Sequence, residues 1–214
     1  MKKIITRFVI YVAGLFINAL GITLSTYTGL GVACVTCFCT NLHNALGITL
    51  GNAFTLWYCV YVFMEFLMLR KDFGVKNLLQ LGFAFILGFF TDFIKSFLIL
   101  EPVGLVQQLT LLFVSLWIIA LSVVILINCD LVPSAPDGFV QVLSKKINKS
   151  FGNVKVFHDI SVASAGVLIG FLHSKPEGLG IATVIAAVTL GKMIGVLDRM
   201  MGNAVRKVCG VAEK

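Results

Sequence analysis

Charge is what this chain has least of. Only 13% of its 214 residues are Asp, Glu, Lys or Arg, roughly half the share found in soluble domains. Hydrophobic residues make up 58% of the chain, and the mean hydropathy is +0.99. One core of this size could not bury so many apolar side chains. That excludes an ordinary cytosolic enzyme, a secreted disulfide scaffold and a disordered chain. Catalytic signatures are missing too: no GxGxxG, Walker loop, HExxH or Ser/His/Asp grouping occurs where its chemistry would need it. The expectation is an integral membrane protein that is no enzyme and needs no cofactor. The net charge of +7 is spread between apolar runs rather than gathered on one face, so no nucleic-acid partner is expected.

Two-residue alternation is also absent, and the apolar runs are twice the length of a barrel strand. Backbone polar groups in lipid must be satisfied within the segment, so each run reads as a helix. About 20 residues are needed to cross roughly 30 Å of hydrocarbon. Six runs meet that need: residues 8–25, 49–69, 78–98, 109–127, 154–173 and 181–198. Lys2, Lys3 and Arg7 before the first run imitate a signal peptide. The run is too long for one and no small-residue cleavage site ends it, so it is expected to stay as the first span. With the N-terminus inside, fourteen Lys and Arg residues fall in inner segments, against Lys95 and Lys175 outside, and Lys192 lies within the last span. Positive charge favours the cytoplasmic side, which places both termini in the cytoplasm.

Residues 28–38 (TGLGVACVTCF) lie over residues 129–139 (CDLVPSAPDGF) at an offset of 101. The same register, without a gap, pairs Ala19-Leu20 with Ala120-Leu121, Leu42 with Leu143, and Gly51-Asn52 with Gly152-Asn153. Each half (about 8–98 and 109–198) reads as span, irregular loop, short helix, span, span. Three spans is an odd number, so the second half enters the membrane upside down relative to the first. Many transporters are built this way, with the working site between the halves near mid-membrane. The fold expected is an all-α membrane protein, one domain over residues 1–214: six transmembrane helices as two inverted three-helix repeats. Each repeat carries a short helix after its first span. At 1.5 Å per residue that helix is too short to cross a bilayer. Two placements remain open for it, re-entrant along a polar cavity or interfacial along the membrane surface.

Several glycine-bearing motifs occur at corresponding places: Thr28-Gly29-Leu30-Gly31, Pro136-Asp137-Gly138, Phe73-Gly74-Val75, Gly178-Leu179-Gly180 and Leu87-Gly88-Phe89-Phe90-Thr91-Asp92. Together they resemble the bacterial YczE/YyaS/YitT group of small membrane proteins over about residues 8–198. Val32-Ala33-Cys34-Val35-Thr36 departs from that group, standing where a Pro-Trp-Asp-like stretch would be expected. The resemblance implies a protein of the bacterial plasma (inner) membrane with a transport role, and points to no substrate.

An ionisable group inside a membrane is costly, so each one needs a partner or a task. Lys192, midway along the sixth span, reads as a counter-charge for an anionic solute or a coupling carboxylate, or else as half of a buried ion pair. Asp92 has Lys95 one turn later on the same face; either that pair is structural or Asp92 lines the cavity and partners Lys192. Asp130 and Asp137 flank the prolines of the second broken segment. Asp137 is placed to cap the short helix, or to offer a cation or proton its carboxylate oxygens. Thr36 is the uncharged cap expected in the first half, and Asn18 reads as a bond to a neighbouring helix or to a ligand. These six are the candidate solute- or ion-binding residues.

Three further readings concern residues outside that set. His158 and Asp159 point about 100° apart on a helix and are expected to be solvated rather than paired. Glu65, about one turn before Arg70-Lys71, is expected to be neutralised there. Cys34, Cys37 and Cys39 have neither a second CxxC nor a His pair to complete a zinc set, so they read as small packing groups and no metal is expected. The function expected is secondary transport of a small polar or charged solute, with the solute and the bilayer as partners and a homodimer left open. A non-transporting regulatory or interaction protein, or the substrate-capture subunit of an ATP-driven transporter, are the alternatives.

Overall fold

The computed structural model describes residues 2–173 and 176–211. Lys175 and Lys214, both used in the charge comparison, lie outside them. All regular structure among the described residues is helical: α1 (Lys2–Thr26), α2 (Cys34–Leu46), α3 (Leu50–Leu69), α4 (Val75–Phe97), α5 (Leu105–Asn128), α6 (Ala135–Lys146), α7 (Phe151–His173), α8 (Ile181–Leu197) and α9 (Asn203–Cys209). Both short helices stand where the sequence puts them. Helices α1, α3, α4, α5 and α7 are long and apolar enough to cross a bilayer, the architecture of a multi-pass membrane protein. The sixth expected span, α8, has 17 residues and runs through a π-helical turn, Asp198–Gly202, into α9. Many large apolar side chains lie on the outside as well as in the core. Phe85, Phe89, Phe93 and Phe97 recur every fourth residue of α4, all exposed, a stripe suited to lipid rather than water.

Helix ends follow local chemistry. Thr49 caps α3, its hydroxyl accepting from Asn52 N at 3.1 Å. Helix α2 starts at Cys34, which puts Thr36 inside its first turn instead of at the cap. Ser134, not Asp137, holds the N-cap position of α6, with Pro136 in the first turn, where a missing N–H costs nothing. Left-handed residues follow five helices: Gly29 (φ 67°), Gly47 (φ 64°), Asp130 (φ 48°), Asn148 (φ 52°) and Gly210 (φ 66°). That conformation closes a helix C-terminus, and after Gly it is Asn and Asp that tolerate it best. Gly29 and Asp130 are 101 residues apart, as are Gly47 and Asn148.

Two compact units form, and each draws on both halves of the chain. The first comprises Met1–Ala33, Phe90–Leu131 and Gly180–Lys214. Here α5 is the hub, packing against α1, α8 and α9. Gly21 lets α1 approach closely, since a β-carbon there would lie 3.0 Å from the Ile119 amide nitrogen. Leu112 and Leu116 of α5 close a buried cluster with Ala182 and Ala186 of α8. The Leu30 carbonyl accepts from Ala182 N (2.9 Å), satisfying one of the amides left open at the start of α8. Arg7 donates from Nε (3.1 Å) and Nη2 (2.8 Å) to the Cys129 carbonyl and from Nη2 to that of Asp130 (2.7 Å). This anchor holds the first turns of α1, which begins earlier than its apolar run. Arg206, counted among the inner basic residues, is buried and donates to Asn128 Oδ1, while Asn128 Nδ2 donates to Asp198 Oδ1 at 2.6 Å.

The second unit comprises Cys34–Phe89 and Val132–Leu179. Helix α2 packs on α7 and α3, and α6 packs on α3 and α7. Glycines set the close approaches, two of them where the short helices pack. A β-carbon on Gly166 of α7 would lie 2.7 Å from Phe38 Cα, and one on Gly138 of α6 would lie 2.6 Å from Glu65 Oε1. The Phe38 ring stacks on Trp57 with centroids 4.0 Å apart, and Phe139 lies 6.0 Å from the His158 ring. Asn41, fully buried, ties α2 to the segment before α8. Its Nδ2 donates to the carbonyls of Cys37 (2.9 Å) and Glu177 (2.7 Å), and its Oδ1 accepts from Glu177 N (3.0 Å). Replacing Asn41→Ala strands the Glu177 amide and leaves its carbonyl only the Cys37 thiol at 3.5 Å. Unfolding in detergent is expected to show a loss of about 2 kcal/mol; an unchanged Tm would mean that the tie contributes nothing.

Candidate functional site

Helix α7 carries Lys155, His158 and Asp159 at spacings i, i+3 and i+4, so all three share one face. Helix α6 opens toward that face with Asp137 in its first turn, where the helix dipole favours a carboxylate. Lys155 Nζ lies 3.2 Å from Asp137 Oδ1 and 3.1 Å from Asp159 Oδ1. Ser134 Oγ donates to the other Asp137 oxygen at 2.7 Å. On the far side of Asp159, His158 Nδ1 lies 2.9 Å from Oδ1, and His158 Nε2 lies 2.7 Å from the hydroxyl of Tyr61 on α3. The result is one continuous chain of polar groups, Ser134–Asp137–Lys155–Asp159–His158–Tyr61, buried at its Tyr61 and His158 end and partly exposed at Asp137. Two carboxylates against one ammonium leave the ion-paired part negative. Its groups can bind a small polar or cationic solute, or pass a proton along the hydrogen bonds between Tyr61 and Asp159.

Cys34 borders this network and feels both Asp159 and Lys155. Burial, with the nearby Asp159 charge, holds its thiol above the usual range. Burial pushes the Cys37 thiol up to about 11 and that of Cys39 far up as well. Near neutral pH all three are thiols rather than thiolates, the form suited to packing and not to ligating a metal. Among the described residues no group of three or more His, Cys, Asp and Glu side chains is placed to hold a metal ion.

Of the six candidates from the sequence, Asp137 is the one that enters this network. Asp130 is left-handed and exposed, 3.8 Å from the Arg7 guanidinium. Asn18 accepts from Ser122 Oγ on α5 at 3.2 Å, a bond between neighbouring helices. Thr36 is buried in the first turn of α2, and Asp92 is half-buried on α4. Lys192 is exposed on α8 and makes no ion pair among the described residues, which sets aside the buried pair weighed for it.

Two expectations need correction. His158 and Asp159 do bond despite the angle between adjacent positions, because Lys155, one turn back, draws the Asp159 carboxylate over the face they share. Glu65 is not neutralised by Arg70 and Lys71, which are exposed; Asn77 and Gln80 of α4 donate to it instead. Lys155 and Tyr61 are the functional residues the sequence reading missed. The i, i+4 spacing of Lys155 and Asp159 is the signal that could have found the first. Nothing local marks Tyr61, whose partner is 97 residues away.

The double change Asp137→Asn with Lys155→Met tests the network. Both side chains are partly solvated (48% and 29% exposed), so a double-mutant cycle on unfolding is expected to give a coupling of about 1 kcal/mol. Strict additivity would dissolve the pair.

No curated protein and no solved structure matches the chain. Residues 5–199 match a family of unknown function, DUF6198. With nearly its whole length matched, the chain belongs to family DUF6198.

Proposed function

We propose that the chain is a six-span secondary transporter or permease of the bacterial plasma membrane. Both termini are cytoplasmic, and a small polar or charged solute passes between two inverted halves. One observation carries the reading: the offset of 101 residues recurs in backbone and in contacts, well beyond residue identity. Left-handed Gly29 and Gly47 correspond to left-handed Asp130 and Asn148. Arg7 grips residues 129 and 130, and its counterpart Gln108 lies beside Gly29. The Phe38–Trp57 contact corresponds to Phe139–His158. The packing of α2 on α7 corresponds to that of α6 on α3. Three spans per half then turn the halves over relative to each other, with α8 as the short sixth span. The buried face of α2 against α3 and α7 favours the re-entrant placement. The resemblance to the YczE/YyaS/YitT group is in line with this reading.

The chemistry is unequal between the halves. Asp137, Lys155, His158 and Asp159 correspond to Thr36, Phe54, Trp57 and Tyr58, so the charged groups of the site come from the second half. Its excess carboxylate favours a solute with a positive centre, while the exposed Lys192 on α8 is available to an anionic group. No nucleotide-binding motif is present in the sequence, so coupling is to an ion gradient or to the solute's own gradient.

Proteoliposomes tested against a panel of small amines, amino acids and carboxylates, with and without a pH gradient, check the reading. At least one amino compound is expected to be moved. The pair Asp137→Asn and Asp159→Asn is expected to slow that flux about tenfold, the consequence of losing about 1.4 kcal/mol of binding. A membrane-impermeant maleimide near neutral pH is expected to label Cys34 and spare the buried Cys37. No flux for any compound, together with a protected Cys34, would remove the permease reading.

A further inference from the structure

Glu65 is a carboxylate with no counter-charge among the described side chains. It lies on α3, fully buried at 0% exposure. Its Oε2 accepts from Asn77 Nδ2 (2.6 Å) and Gln80 Nε2 (3.1 Å), both on the first turns of α4. Its Oε1 has no donor, and neither has Oε1 of Gln80, which is 3% exposed. Both orphan oxygens face α6. The point that a β-carbon on Gly138 would occupy is 2.6 Å from Glu65 Oε1 and 3.3 Å from Gln80 Oε1. A methyl there would press on Glu65 Oε1 and on the Gln80 amide, whose Nε2 lies 2.9 Å from the same point.

Among the described side chains, no charge on the surrounding elements compensates it. Arg70, Lys71 and Asp72 beyond the end of α3 are exposed, as are Lys145 and Lys146 at the end of α6. Asp137 on α6 is held by Lys155 and Ser134, and Tyr61 on α3 is bonded to His158 on α7. An ionised carboxylate can only accept, so in that state two oxygens go without donors and a full charge sits in a dry place. A single hydrogen mends both faults. On Oε1 it removes the charge and turns an acceptor into a donor, with the orphan Gln80 Oε1 facing the same glycine.

We propose that Glu65, Gln80 and Asn77 form a proton-binding site at the junction of α3, α4 and α6, with the proton carried on Glu65 Oε1. Loss of the proton leaves an unshielded charge against Gly138, so release requires water to enter or α6 to give ground. The exit lies beside Asn77, which is half-buried and accepts from Gly74 N (3.4 Å) in the segment before α4. The site rests on the packing of these three helices and stands whether or not the chain transports a solute.

The proton itself is the probe. Infrared spectra of the purified full chain near neutral pH are expected to contain the carbonyl stretch of a protonated carboxylic acid, absent from Glu65→Gln. Denaturing the wild type in weakly buffered solution is expected to release about one more proton per chain than denaturing Glu65→Gln. If Glu65→Gln fails to fold, Gly138→Ala assigns the band instead, because its methyl presses on Oε1 and should shift it. Lack of any protonated-acid band in the wild type, or equal proton release from the two chains, overturns the proposal. So does stabilisation of the wild type, and not of Glu65→Gln, by sodium or lithium chloride over choline chloride, which would assign a metal cation instead.

Discussion

A polar group taken out of water must find its partner within the protein, and in a chain this apolar the partners are few. That shortage organises the structure. In the first unit the strong polar ties sit at helix ends: Arg7 on the carbonyls that close α5, and Arg206 with Asn128 and Asp198 around the start of α9. The second unit carries its polar groups inside. The chain from Ser134 to Tyr61, the Glu65 amides and the Asn41 tie to Glu177 all lie among five helices that otherwise meet through aromatic rings and glycines.

The two short helices make this possible. A spanning helix satisfies its own backbone and offers side chains alone, whereas α2 and α6 begin within the packed body of the unit. The start of α6 brings Asp137 to Lys155, and its next residue, Gly138, meets Glu65 and Gln80. One helix turn therefore touches both the ion-paired network and the buried acid. The glycine matters too, because a side chain there would crowd Glu65 Oε1 and the Gln80 amide.

Much of the architecture could be read from the residues. Long apolar runs locate the spanning helices because nothing else is stable in lipid, and Gly47 and Asn148 mark where the short helices stop. The finer chemistry resisted because it depends on which faces meet. Glu65 looked toward the nearest cations along the chain, yet its donors are the neutral amides of Asn77 and Gln80, brought close only when α4 folds back along α3. Asp137 and Thr36 have the composition of caps, but the helices start two residues earlier, at Ala135 and Cys34. His158 and Asp159 were judged by helix geometry alone, which omits the ammonium of Lys155 that draws the carboxylate across. Asn18 behaved as a local reading would have it, since a lone amide in a span needs only one hydroxyl across the gap, here Ser122.

The two glycine seams of the second unit occupy matching places yet put the missing side chain on opposite sides. Where α2 meets α7 the gap is on α7, at Gly166, and the backbone of Phe38 fills it. Where α6 meets α3 the gap is on α6, at Gly138, and position 65, the counterpart of Gly166, carries an acid. Swapping which partner is small freed one seam to host an acid while its twin stayed greasy and tight. A scaffold with two interchangeable seams would have had to place an acid in both or neither; this one keeps a fastener on one flank and an instrument on the other.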